Sequence, residues 1–425
     1  MKLVEQHIHP AHALAAGLKA LPDTCSSFAY TQAAWRFYSN ERVGMARLAE
    51  PLLAAVPEAL RAHCGQYGLV AHDWSRLGFN SHTRKRDRLQ MTHASDVGYE
   101  LQSALLISDA DGRPLVPLLH NVVAAQQVYT TMSDQPRSHL NAHQQHLDDL
   151  SERMAWIETR GWDKPLVHIV DREADSVAHL RTWEKCGYRF VIRADDAPRA
   201  RLDGVELPLK AVAEQLSYTR AGQVQFKGAP AQQSIATTRV LITRPAKSKR
   251  EVNGKRVAPI AGEPLALRLV VSRIHNEHGQ LLAQWLLLTN VADEVDGSTI
   301  ARWYYHRWQI ESMFKLLKSA GLQLEQWLQD DAQALAKRLV VGSCACVVVW
   351  QLAAAQSSQA LETQRFLVRL SGRQTKRTRP ITAPAMLAGL CMLLSMLEVL
   401  EHYDIEQLRR YAAVIFPQRF SAADV

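Results

Sequence analysis

Hydrophobic positions in this chain change their spacing near residue 65, and that change marks its organisation. Up to that point Ala and Leu recur in helical runs, broken at Leu21-Pro22-Asp23 and Asn40-Glu41. Beyond it, Leu69-Val70-Ala71-His72-Asp73 predicts a buried strand ending in polar residues. Glu100–Ser108, Asp111-Gly112 and Leu115–Val123 predict strand, tight turn and strand, a hairpin. Helical spacing runs from about Ser138 to Arg160 and is closed by Gly161. Pro165-Leu166-Val167-His168-Ile169-Val170 is a short apolar strand with Asp171 at its carboxyl end. A helix from about Ala174 to Lys185 and a strand Tyr188–Arg193 follow.

The order β-β-β-α-β-α-β, with one carboxylate on the first strand and another past the fourth, predicts an α/β ribonuclease-H-like core built on a mixed sheet. A helix with a third carboxylate should come next. Instead residues 197–283 alternate in segments such as Gln223–Lys227, Thr237–Thr243 and Ala266–Ser272, separated by Gly, Pro and basic residues, which predicts a β-rich insertion. The strand Trp285–Thr289 and a helix carrying Glu311 then resume the core. Residues 330–425 read as helical, interrupted by a basic, helix-poor linker over Ser371–Pro380. The predicted division is therefore 1–65, helical; 66–196, first part of the core; 197–283, insertion; 284–330, second part of the core; and 331–425, helical.

Charge narrows the class of partner. The 425 residues carry a net charge of +8, but three stretches account for all of it. Arg84–Arg88 holds four basic residues and one acid; Arg244–Arg256 and Leu361–Pro380 each hold six against one. The remainder is slightly acidic, so concentrated positive patches on a neutral body favour nucleic acid. A solvated loop is the ordinary alternative for any one stretch. Six cysteines without a C-x-x-C pattern argue against a zinc site and suit a reduced cytoplasmic setting. The apolar stretches Leu339–Trp350 and Ala385–Leu397 are too short to span a bilayer, so no membrane partner is expected.

The candidate chemistry centres on Tyr304, Arg307, Glu311 and Lys318. At about 100° per residue they fall within an arc of roughly 60° on one helix. Trp303, Ile310, Met313, Phe314 and Leu317 form the adjoining apolar arc, by which the helix can dock. A Glu flanked by Arg, Lys and Tyr can hold a metal ion beside a phosphate chain, because Glu is a hard oxygen ligand and the cations neutralise phosphate. Asp73 and Asp171 lie where such a core brings strand ends towards that helix, and three carboxylates there can hold two Mg²⁺ ions. Asp171 equally suits a helix N-cap, and Asp73 a strand-end cap. His72 and His168 read as packing or orienting residues rather than ligands.

Asp171-Arg172-Glu173-Ala174-Asp175, together with Tyr304-x-x-Arg307-x-x-x-Glu311 and Lys318, resembles the DDE transposases of the insertion-sequence-four family. The likeness runs from about Tyr30 to about Ser358 and includes Trp285-Leu286-Leu287-Leu288-Thr289 and His306-Arg307-Trp308. It implies that Asp73, Asp171 and Glu311 are catalytic metal ligands, with Mg²⁺ as the cofactor, two ions per site and Mn²⁺ able to substitute. It further implies phosphate contacts from Tyr304, Arg307 and Lys318, a base-stacking role for Trp285 and a looser DNA contact from Arg193. For Trp285, a core residue opening a buried strand is the competing reading. The basic linker adds Lys376, Arg377 and Arg379 as expected DNA contacts.

The resulting expectation is a cut-and-paste transposase acting in the bacterial cytoplasm, associated with the nucleoid. Its partners would be double-stranded DNA, as transposon ends and as target, and a second copy of itself in the DNA complex. The helical N-terminal region would contact the ends, and the C-terminal helices offer a dimerisation surface. Two rivals remain: a metal-dependent structure-specific nuclease on the same core, and a DNA-binding inhibitor that pairs with active copies without cutting.

Overall fold

The computed structural model describes residues 27–138, 146–174, 176–246, 251–252, 255–256, 261–318, 321–372 and 381–416. Among the described residues, 14 strands form one mixed sheet. Its middle runs Leu265–His275, Leu281–Thr289, Arg189–Ala194, Leu166–Val170, Gly68–Gly78, Val97–Ser108, Pro114–Val123. Leu166–Val170 pairs in parallel with both neighbours, whereas the other pairings along this stretch are antiparallel. A strand enclosed in this way has no solvent face, which is why its sequence is almost continuously apolar.

The period-two rule sorts the strand Leu281–Thr289 between the two faces of the sheet. Trp285 and Leu287 join one core with Ile300, Ile310 and Leu335, while Leu286 and Leu288 join another with Leu150, Leu180 and Val212. The first face is covered by helices Gly297–His306, Trp308–Leu317 and Ala332–Ala354. The second is covered by His146–Glu158, Val177–Lys185 and Leu209–Gln215. Strands from 197–283 extend this same sheet, since Ala229–Ile242 pairs with Leu265–His275, and that strand with Leu281–Thr289.

Some element boundaries differ from the expected ones. The first core strand does not end at Asp73 but continues to Gly78, because Val97–Ser108 pairs with it along its whole length. Its parallel partner leaves earlier, with the last pair at Ala71 and Ile169, so Asp73 lies just beyond that neighbour's support. The helix after Asp171 begins as a 3₁₀ turn, Arg172–Ala174, before Val177–Lys185. The apolar stretches taken as too short for a bilayer belong to longer helices, of 23 residues (Ala332–Ala354) and 20 residues (Ala383–His402). Both have the length and composition to cross a membrane, but the apolar window of the first is 83% buried inside the protein, as in a core helix, and that of the second 28%.

Ala332–Ala354 is tied to the sheet through His120, which lies between Ser103 Oγ (2.8 Å) and Ser343 Oγ (2.9 Å). Burial pushes the His120 pKa down to about 4. The folded state therefore refuses a proton that the unfolded chain accepts near pH 6.5, and stability falls as the pH drops from there towards 4. The shift corresponds to on the order of 3 kcal/mol across that window. Urea midpoints measured over this range should show a steeper acid loss for wild type than for His120→Asn, which has no such proton to bind.

Candidate active site

Asp73, Asp171 and Glu311 approach one another from three separate parts of the chain. Asp171 follows directly on Leu166–Val170, Asp73 lies on the adjacent strand just past that point, and Glu311 projects from Trp308–Leu317. What joins them is Arg307, whose side chain is 3% exposed. Its Nη1 donates to Asp73 Oδ2 at 2.9 Å, and its Nη2 lies 3.0 Å from Asp171 Oδ2 and 3.3 Å from Glu311 Oε1. A planar guanidinium can serve several carboxylates at once where an ammonium would be a single point charge.

The expected single helix through Tyr304 to Lys318 is two helices. Gly297–His306 and Trp308–Leu317 meet at Arg307, which keeps right-handed helical angles (φ −49°, ψ −33°). The turn tightens there: Arg307 N–H donates to the Tyr304 carbonyl at 3.1 Å, and Ile310 N–H to that of Arg307 at 3.0 Å. These are i to i−3 bonds, the 3₁₀ pattern. Lys318 lies one residue past the second helix, at its C-cap.

Three carboxylates around one guanidinium leave an excess of negative charge. Burial raises the pKa of Asp73 and of Glu311, and Arg307 opposes the shift only in part. Asp171 is also raised by burial, but Arg307, the Arg172 N–H, the Tyr304 hydroxyl and Arg193 together hold its carboxyl below the usual range. Burial works against the Arg307 charge, yet Asp171, Tyr304, Asp73 and Glu311 hold its pKa above the ordinary value.

Among the described residues, the side chains expected to meet DNA have partners within the protein. Tyr304 and Arg307 do not present free groups to a phosphate: Tyr304 is buried, and its hydroxyl donates to Asp171 Oδ1 at 2.9 Å. Lys318 Nζ is engaged by Glu325 at 3.0 Å and by the Arg76 carbonyl at 2.6 Å. Trp285 is 7% exposed, stacked on Tyr305 and edge-on to Tyr304, so its ring faces packing partners rather than an open surface for a base. Arg193, 32% exposed, stands 3.9 Å from Asp171 and so belongs to the carboxylate cluster as well. Lys376, Arg377 and Arg379 lie outside the described residues.

One support, for which the sequence offered His72 and His168 as packing or orienting residues, is completed by a residue it did not signal. His72 Nε2 meets His168 Nδ1 at 2.8 Å, and His168 Nε2 meets Glu158 Oε1 at 3.0 Å. Burial, with His168 and Arg153 adding to it, keeps His72 neutral by lowering its pKa well below the usual value. The chain of bonds fixes the two strands next to Asp73 and Asp171. Glu158 gave no signal because it lies in an ordinary helical pattern.

Among the described residues, no group of three or more His, Cys, Asp and Glu side chains stands as a ready metal cluster, since the Arg307 guanidinium lies between the carboxylates. The donor set nevertheless suits a hard divalent cation: three carboxylates offer only oxygen ligands, and Arg307 with the more distant Arg193 does not balance all of their charge. Such a cation would have to take over contacts now made by Arg307.

No curated protein matches this chain. Among solved structures, the chain matches the cryo-EM structure of piggyBac transposase in a synaptic complex with hairpin DNA at a TM-score of 0.37 and 10% identity. The match covers 85% of this chain and 59% of that one. The family model described as the transposase DDE domain matches residues 120–341, a segment that contains Asp171, Arg307 and Glu311 and leaves Asp73 outside. With more than half of its length matched, the chain belongs to the DDE-domain transposase family.

Proposed function

We propose that this protein is a cut-and-paste transposase of the insertion-sequence-four type, built on a ribonuclease-H-like core, that acts on double-stranded DNA in the cytoplasm. It binds the terminal inverted repeats of its own element, hydrolyses one strand at each end, and uses the freed 3′-hydroxyl to form a hairpin on the opposite strand. The hairpin is reopened before strand transfer into target DNA. The observation that carries this reading is the meeting of Asp73, Asp171 and Glu311 within 2.9–3.3 Å of one guanidinium.

In this reading the three carboxylates hold Mg²⁺, two ions per site, with Mn²⁺ able to substitute. Bound there, the metal activates a water or hydroxyl and stabilises the leaving oxygen of a phosphodiester. Tyr304 orients Asp171 through its hydroxyl, and the His72–His168–Glu158 chain keeps the strand ends in register. Arg307 holds the carboxylates together in the metal-free protein, and a cation bound there would take over those contacts. A second copy of the chain is proposed to pack on the exposed apolar face of Ala383–His402 and Ile405–Ile415, which includes Met392, Met396, Leu400 and Ile415.

Incubation of the purified protein with Mg²⁺ and a duplex carrying the repeats that flank its gene tests the proposal. Nicks, hairpins and joined target products are expected in succession. Cleavage without hairpins or joined products would favour a structure-specific nuclease, and binding without cleavage an inhibitor of transposition. Trp285→Ala should slow nicking and hairpin formation alike and cost about 3–5 kcal/mol of stability, because the indole packs on Tyr304. A thermal melt and an end-labelled time course would show this; loss of hairpins alone would return Trp285 to base stacking.

A further inference from the structure

The basic run Arg84-Lys85-Arg86-Asp87-Arg88 follows the Asp73 strand, and its residues have divided roles. Lys85 is buried, donates to the Gln329 carbonyl and lies over the Phe79 ring at 4.7 Å. Arg88 turns back on the loop, donating to the Lys85 carbonyl through Nε and to the Phe79 carbonyl through Nη1, each at 2.8 Å. Asp87 accepts from the Tyr99 hydroxyl and from the Ala332 N–H. Three of the five residues therefore build the loop. Arg84 and Arg86 are exposed and make no hydrogen bond or ion pair among the described residues.

They line a cleft of about 920 Å³ with Thr83, Gln126, Gln127 and Gln333. Asp87, Asp330 and Asp331 also border it, but Asp87 is engaged by the Tyr99 hydroxyl and the Ala332 N–H, Asp331 by the Ala334 N–H, and Lys85 opposes the charge of all three. Arg84 and Arg86 are the lining cations left without an ion pair among the described residues. Gly78, where the Asp73 strand ends, is five positions on, about 17 Å at 3.3–3.4 Å per residue, and Arg88 ties the following loop back to that end through the Phe79 carbonyl. A duplex whose scissile phosphate lay at the carboxylates would cover that length of strand in about five base pairs.

We propose that Arg84 and Arg86 are a phosphate-binding site for the duplex flanking the cleaved position, held rigid by Lys85, Asp87 and Arg88. The inference rests on the reading of the chain as a DNA-cleaving transposase. Two guanidinium groups carried on a preformed loop neutralise phosphates without the cost of ordering that loop. Base sequence would not matter to them.

The test is the affinity of the full chain for a fluorescent duplex of about 30 base pairs, roughly three turns, titrated across a range of salt concentrations. Wild type, Arg84→Ala/Arg86→Ala and Arg84→Lys/Arg86→Lys would be compared. The alanine variant is expected to lower the slope of log affinity against log salt by about 1.8, two phosphates at about 0.9 each, while the lysine variant keeps the wild-type slope. Both variants should melt with wild type, since neither arginine makes an internal contact. A wild-type slope in the alanine variant would overturn this site and leave the transposase reading standing. Wild type that binds no duplex at any salt would overturn both.

Discussion

Replacement of Asp73 by Asn, Asp171 by Asn or Glu311 by Gln is expected to lower strand cleavage by on the order of 10⁴-fold, as when one member of a group acting as a unit is lost. DNA binding should persist, because it depends on basic surfaces elsewhere. Stability should persist in the Asp73 and Glu311 variants, because burial already disfavours ionisation of those two carboxyls. Asp171→Asn should melt lower, because Arg307, the Arg172 N–H, Tyr304 and Arg193 favour its ionised form in the folded protein. Loss of activity at Asp73 and Glu311 would then not be a folding defect. Gel shift, thermal melt and cleavage on the same preparations check the three statements together, and cutting at the wild-type rate by any variant would remove that residue from the catalytic group.

The second large effect is expected at Arg307. Arg307→Ala leaves three carboxylates facing one another without their shared counter-charge, and removal of one partner from a buried ion pair costs about 3–5 kcal/mol. The lower end is expected here, because Asp73, Asp171 and Glu311 keep 21%, 39% and 30% of their side-chain surface exposed. Arg307→Lys should fall between the two, since a point charge cannot bridge groups reached by two different Nη atoms. Added Mg²⁺ should raise the melting temperature of Arg307→Ala more than that of wild type, by supplying the charge that the mutation removed. Equal shifts in the two proteins would mean that the guanidinium and the cation do not share the same carboxylates.

Several features of this site were legible before any coordinates. The spacing of Glu311 from Arg307, one helical turn, announced an i,i+4 pair, and 3.3 Å separates their atoms. Asp171 could be placed at a strand end because the apolar run before it stops there. Periodicity reports such local relations reliably, since they depend on backbone geometry common to all helices and strands. It reports less well on element ends: Asp73 closes the apolar part of its strand, but pairing with Val97–Ser108 carries the backbone on to Gly78.

The polar side chains divide along the same line. The sequence by itself determined the elements, the three carboxylates and the concentration of positive charge in short stretches. Only the tertiary structure decided how those charges are used. Arg307 looked like a ligand for phosphate and is engaged by three acids; Trp285 packs against Tyr304 and Tyr305; and the run from Arg84 to Arg88 has, among the described residues, two unpaired cations rather than four. The reason is physical. A charged side chain is held by whichever partner reaches it once water has been excluded, and Lys85 meets Gln329 from 244 positions away. No local spacing encodes that meeting.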